Sequence, residues 1–171
     1  MAINMIKIEK MKKLNALGIG PKIGIVAIPW LIVTLLLSIY YKETFYVGET
    51  LHRPLTIIGI VLLAIGVIFY AITVRLLLKG IKTTTLQTGG TYYLCQNPLY
   101  TCMILMIVPG IALWVNSWLM LTTSIVAYIM FRINIKSEYL EMESFFGEKY
   151  LEYKKNTPEF WPFPWKKWFG K

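Results

Sequence analysis

The stretch Thr88-Gly-Gly-Thr-Tyr-Tyr-Leu-Cys-Gln-Asn-Pro-Leu-Tyr100 gathers the side chains of this sequence best suited to holding a polar ligand. Gly89 and Gly90 permit a tight turn with open backbone N–H groups. Gln96 and Asn97 each donate and accept hydrogen bonds, and Tyr92, Tyr93 and Tyr100 add hydroxyls and aromatic faces that attract cations. Beyond the next apolar region come Arg132, Glu138, Glu141 and Glu143 in a helical pattern. Such groups recognise charge and align reactants. They do not make a metal set, because His52 is the single histidine and falls in a different connector. Cys95 and Cys102 lie seven apart at the start of one apolar run and are read as packing residues, not as a disulfide.

The elements that must position these groups are hydrophobic. The 171 residues are 56% hydrophobic and 16% charged, with a mean hydropathy of +0.55. A soluble domain carries about 25% charged residues, so the composition predicts an integral membrane protein of one domain. The net charge of +9 is then read as cytoplasmic loops facing anionic lipid, with no role for nucleic acid. The apolar runs Ile23–Tyr41, Leu55–Val74, Leu99–Val115 and Trp118–Phe131 predict four transmembrane helices. The last two form a tight hairpin turning at Asn116-Ser117, with Pro109-Gly110 bending its first arm. Ile23–Tyr41 is too long for the core of a signal peptide and lacks a cleavage site, so it is read as a span.

Lysine and arginine concentrate in residues 1–22, in the 75–98 connector and in the C-terminal tail. The positive-inside rule therefore places both termini in the cytoplasm. The resulting expectation is an all-α polytopic bundle: a basic cytoplasmic N-terminus (1–22), a transmembrane region (23–131), and a cytoplasmic amphipathic helix with an aromatic tail (132–171). In that last part Ile135, Tyr139, Met142, Phe146, Tyr150 and Tyr153 recur at helical steps and share a face. Gly147 interrupts it, which suggests a close approach there. Trp161, Trp165 and Trp168 beside Lys166 and Lys167 suggest an interfacial anchor. Glu141, Glu148 and Glu152 are read first as solvated helix-face charges.

Both polar stretches resemble the isoprenylcysteine carboxyl methyltransferase and phospholipid methyltransferase superfamily of integral membrane enzymes. The first signature of that superfamily is threonine-x-glycine-x-tyrosine, three residues, then arginine-histidine-proline-x-tyrosine, and Thr88, Gly90, Tyr92, Pro98 and Tyr100 fall at its spacing. The second is a glutamate-rich helix running into phenylalanine-glycine-x-x-tyrosine-x-x-tyrosine and a proline, matched by Glu138, Phe146, Gly147, Tyr150, Tyr153 and Pro158. Gly110 and Trp118 in the hairpin agree as well. Two positions depart: Gln96-Asn97 stands for arginine-histidine, and Tyr139 for the second of paired glutamates.

The resemblance implies an enzyme that uses S-adenosylmethionine to methylate a lipid-like or membrane-partitioned small acceptor, whether carboxylate, amine or thiol. On that reading Gly89, Gly90, Tyr92, Gln96, Asn97, Pro98, Tyr100, Arg132, Glu138 and Glu141 contact the cofactor, and Tyr100, Asn97 and Glu138 serve the reaction. Glu138 would take the cofactor's amino group. The Gly89-Gly90 turn, Gln96 and Asn97 would take its carboxylate, with Arg132 as a charge partner, and Tyr92 and Tyr100 its sulfonium. Methyl transfer from sulfur asks for alignment and a water-poor site, so positioning outweighs acid–base chemistry. Asn97 cannot replace histidine as a base. An amine acceptor would pass its proton to Glu138 or Glu141. A nicotinamide-dependent membrane reductase of related fold and a non-catalytic lipid-binding homologue are the alternatives. The acceptor and the oligomeric state are left open.

Overall fold

The computed structural model of the chain describes residues 18–162. The lysines before Lys22 and the Trp165–Trp168 part of the expected anchor lie outside them. Four helices are long and apolar enough to cross a membrane, and no strand occurs among the described residues. The predicted all-α polytopic bundle is what the chain forms.

Helix α1 (Gly20–Tyr40) starts three residues earlier than the apolar run, because Pro21 can occupy a first helical turn at no hydrogen-bonding cost. After the short α2 (Lys42–Phe45), α3 runs over Glu49–Thr83. It extends well beyond Leu55–Val74 at both ends, where charged residues carry the helix into polar surroundings. The short α4 (Thr91–Leu94) and α5 (Pro98–Cys102) lead into a π-helical segment, Met103–Ile107, and then α6 (Val108–Val115). Pro109 has no N–H for the carbonyl four residues back, and the ladder widens just before it. The expected bend in this arm takes the form of that π-helical turn.

Helix α7 (Trp118–Phe146) corrects the boundary expected at Phe131. The span and the first half of the expected cytoplasmic helix are one element, since Arg132-Ile-Asn-Ile-Lys136 contains nothing that stops a helix. Gly147 ends it with φ +58°, and α8 (Glu148–Asn156) follows. An added Cβ on Gly147 would meet nothing within 4 Å, so that glycine serves a turn and not the close approach anticipated for it.

Packing runs α1 on α7, α7 on α6, and α6 on α3. The last contact is set by small residues seven apart on α3: Gly59, Gly66, Thr73 and Gly80, all buried. A Cβ on Gly59 would lie 2.6 Å from the Trp114 nitrogen and 2.7 Å from the Gly110 oxygen. One on Gly110 would lie 2.9 Å from the Leu63 nitrogen. Backbone meets backbone there, as is usual where lipid gives no hydrophobic drive for association. Thr73 donates to the Thr91 hydroxyl (2.9 Å), which ties α4 to the same stripe. On the other side, a polar seam joins α1 to α7 through Thr34–Thr123 (3.3 Å) and Ser38–Ser117 (2.6 Å).

The Asn116-Ser117 turn forms as expected, with Asn116 at φ +57°. His52 meets Asn116 at that turn (Nδ2 to Nδ1, 3.2 Å), at the opposite end of the α6–α7 hairpin from Tyr100 and Glu138. Both described termini converge on the end that carries these two residues. Ile19 bonds to Glu138, and Thr101 bonds to Phe160.

Candidate functional site

The Tyr100 hydroxyl donates to Glu138 Oε2 at 2.9 Å, joining the two signature stretches at the mouth of the bundle. A third group completes the contact. The Ile19 N–H, just before α1, is shared between the Tyr100 oxygen and Glu138 Oε2, at 3.1 Å from each. Gly18, at φ +52°, turns the chain so closely over this pair that a Cβ would sit 2.6 Å from Glu138 Oε2 and 2.7 Å from the Tyr100 oxygen. The Ile19 side chain is anchored below in a cluster with Ile23, Tyr100, Ile104, Phe131, Ile135 and Phe160. Nothing in residues 1–22 had marked this turn as part of a site. The available signal was the Gly-Ile-Gly-Pro run, whose backbone freedom is unusual at the head of an apolar span.

The pair borders a cavity of about 510 Å³, inside the range of about 300–1,000 Å³ typical of small-ligand sites. Its wall includes Tyr92, Gln96, Asn97, Pro98, Tyr100, Glu138 and Glu141 of the expected set. The expected helix face is there too, through Tyr139, Met142, Phe146, Tyr150 and Tyr153. Tyr70 and Val74, read from the sequence only as part of a span, and Leu77 and Leu78, placed in the connector after it, supply the apolar side from α3. Gly89, Gly90 and Arg132 are not in the wall. Gly90 turns at φ +62° against Leu76, Gly89 is exposed, and Arg132 pairs with Glu159 at 2.5 Å. Among the described lining residues there are two carboxylates and no lysine, arginine or histidine. The wall is thus electronegative and aromatic, a combination that favours cations.

Gln96 and Asn97, the departure from the arginine-histidine pattern, bind the tail. Gln96 Nε2 donates to the carbonyls of Lys154 (3.1 Å) and Thr157 (2.6 Å), closing the end of α8, and its backbone N–H donates to Pro158 O (2.9 Å). Asn97 Nδ2 donates to the Tyr139 hydroxyl (2.6 Å) and to Glu159 O (2.9 Å). The Tyr139 hydroxyl in turn donates to Glu159 Oε1 at 3.0 Å. Thr101 holds Phe160 O at 2.7 Å. Residues 157–160 are thereby strapped across α5, and Glu159, which the sequence did not single out, joins Tyr139 to Arg132. Asn97 is buried with both amide hydrogens committed, which fits a positioning role and leaves no donor for a proton-transfer step. Gln96 Oε1 is buried without a hydrogen-bond partner.

The Tyr153 hydroxyl donates to Tyr92 O at 2.6 Å, fixing α4 against α8. Burial pushes the phenols of Tyr92 and Tyr153 above their ordinary range, and the Glu138 charge adds to the rise at Tyr92. Both stay neutral donors at any physiological pH. Burial likewise raises Cys95 to about 11. Thiol alkylation of the folded protein at pH 8 is therefore expected to leave Cys95 untouched, with reaction appearing only on unfolding. Mass spectrometry of iodoacetamide-treated protein checks this. Gln96→Ala is expected to lower stability by about 1–3 kcal/mol, since it leaves two carbonyls without their donor. Thermal unfolding in detergent measures it.

Among the described residues no three His, Cys, Asp or Glu side chains are grouped to hold a metal. No family model matches the chain, and no solved structure matches it. Among curated proteins it is 33% identical over 109 residues to the cobalt-zinc-cadmium resistance protein CzcN of Cupriavidus metallidurans, covering 63% of this chain and 48% of that protein. It is 31% identical over 81 residues to the protein-S-isoprenylcysteine O-methyltransferases of Mus musculus and Rattus norvegicus, covering 47% of this chain and 29% and 28% of theirs. The chain thus spans just under half of the first relative and under a third of the other two. Over about half of its own length, it is similar to a membrane methyltransferase family.

Proposed function

We propose that this protein is an S-adenosylmethionine-dependent methyltransferase whose acceptor partitions into the membrane. The observation that carries this reading is the part-buried Glu138–Tyr100 pair on the wall of a cavity that is aromatic, electronegative and otherwise apolar. Glu138 would accept the amino group. The rings of Tyr92, Tyr100 and Tyr150 suit a cationic sulfur. The cofactor's carboxylate finds no cation among the described lining residues, so only N–H and O–H donors there can meet it. When bound, the cofactor supplies an electrophilic methyl group.

What the chain itself does is hold, orient and dry the site. Glu138 and Tyr100 fix the polar end, and Tyr70, Val74, Leu77 and Leu78 offer an apolar berth to the acceptor. Exclusion of water strengthens each charge contact inside. With both described ends at the mouth of the bundle and the basic connectors beside them, the positive-inside rule places this mouth on the cytoplasmic side.

The test is titration calorimetry of the detergent-purified protein with S-adenosylmethionine and with its demethylated product. Saturable binding of both is expected, and no heat from either would overturn the reading. A nicotinamide dinucleotide phosphate would need cations that the described wall does not offer. NADPH is therefore expected not to raise the Tm, whereas the demethylated cofactor raises it.

A further inference from the structure

We propose that the turn before the first span, Gly18-Ile19, is a positioning element of the site, and that the Ile19 main-chain N–H fixes the oxygen of Glu138 that faces Tyr100. The inference rests on the proposed cofactor site, since it assigns a role within it. Glu138 is 119 residues away from Ile19 in sequence, yet its Oε2 receives one hydrogen bond from the Ile19 N–H at 3.1 Å and one from Tyr100 at 2.9 Å. The same N–H also points at the Tyr100 oxygen at 3.1 Å, so one donor orders both partners. With Oε2 so engaged, Oε1 is the oxygen available to a ligand ammonium.

Three local features hold the N–H in place. Gly18 adopts φ +52°, and its missing Cβ is what lets the turn lie on the carboxylate, where a Cβ would meet Oε2 at 2.6 Å. The Ile19 side chain is only 3% exposed and is fixed in the core cluster, so the turn is anchored from below. The Ile19 carbonyl accepts from Ile23 N (3.1 Å), which makes the turn continuous with α1. An anchored turn of this kind is a fixed wall of the site. Tilt or displacement of the first span would then be felt at Glu138 directly, through this one residue.

The test is a double-mutant cycle between the N–H and the carboxylate. Ile19→Pro deletes the donor at a residue whose φ of −85° is near the range of proline. Ile19→Ala, which keeps the N–H, gives the size of the loss from side-chain packing alone. Ile19→Pro is expected to weaken binding of the demethylated cofactor about tenfold beyond Ile19→Ala, the order of one charge-assisted hydrogen bond. In a Glu138→Gln background the further loss should fall to about twofold, because the amide oxygen can still accept from the N–H but no longer presents the charge that this bond holds toward the ligand. Equal losses in both backgrounds would overturn the proposal, as would equal Kd values for the proline and alanine variants. If the wild type binds neither S-adenosyl compound, the proposed function fails on its own. The cycle is then read in thermal unfolding, where absence of coupling between Ile19→Pro and Glu138→Gln overturns the positioning role and coupling upholds it.

Discussion

Glu138→Gln is expected to weaken binding of S-adenosylmethionine by about 10- to 150-fold, the worth of a hydrogen bond to a charged group at about 1.5–3 kcal/mol. Methyl transfer to labelled membrane lipid should fall at least as far. The glutamine is the informative variant because it conserves volume. One of its atoms still accepts from the Ile19 N–H or from Tyr100, whereas Glu138→Ala leaves both of those donors buried beside a void and mixes a folding defect with a binding defect. What the amide cannot supply is the negative charge opposite an ammonium. The Tm of Glu138→Gln should therefore stay within a few degrees of the wild type while the Kd rises. Calorimetry and a tritium-transfer assay on the same preparation check both halves. A glutamine variant that binds and turns over like the wild type would remove the carboxylate from the site and the proposed function with it.

That carboxylate was within reach of sequence reading because its partner Tyr100 belongs to one regular pattern and Glu138 itself flanks another. One is the tyrosine-proline spacing around Tyr100. The other is the helical face Ile135, Tyr139, Met142, Phe146, Tyr150 and Tyr153, most of which borders the cavity. Periodicity exposes which residues share a face, and hydropathy exposes which stretches can span, so the bundle and one wall of the site were legible. The partners from elsewhere were not. Ile19 contributes a main-chain N–H, which has no identity in a sequence, and Glu159 sits in an aromatic, proline-rich tail with no periodic neighbour to mark its direction.

The two departures from the resembling pattern, Gln96-Asn97 and Tyr139, looked independent along the chain. In space they meet, with Asn97 Nδ2 donating to the Tyr139 hydroxyl and both leading to Glu159. The contact at that point is between neutral groups, and the charges nearby are those of the Glu159–Arg132 pair at the edge. The pair is half exposed, so its own contribution is small. Its use is in holding the tail down.

The stripe Gly59, Gly66, Thr73 and Gly80 was in the sequence but is visible only once a partner helix is supplied, because small residues seven apart signal contact and not burial of apolar surface. It carries the largest expected effect on folding. Gly59→Leu would put a side chain where the Trp114 nitrogen and the Gly110 oxygen lie 2.6 and 2.7 Å from the first carbon alone. Those atoms are backbone of the facing helix and have no rotamer to change, so α3 and α6 must separate. Overpacking typically costs about 1–3 kcal/mol where side chains can yield, and here the loss should exceed that range. Gly66→Leu meets the Met106 Cβ at 2.9 Å, Ile107 Cγ1 at 3.0 Å and the Ile107 nitrogen at 3.3 Å, contacts longer than those at Gly59 and of which only Cγ1 can turn aside, and is expected to cost somewhat less. Gly24→Ala, on the first span, meets a single flexible atom at 3.4 Å and should stabilise its helix by up to about 1 kcal/mol. Thermal unfolding and monodispersity in detergent across the three variants test the order. If Gly59→Leu were as stable as Gly24→Ala, the α3–α6 crossing would have to be redrawn. The cavity wall contributed by Tyr70, Val74 and Leu77 would move with it, since the register of α3 set at Gly59 is what carries those residues to the site.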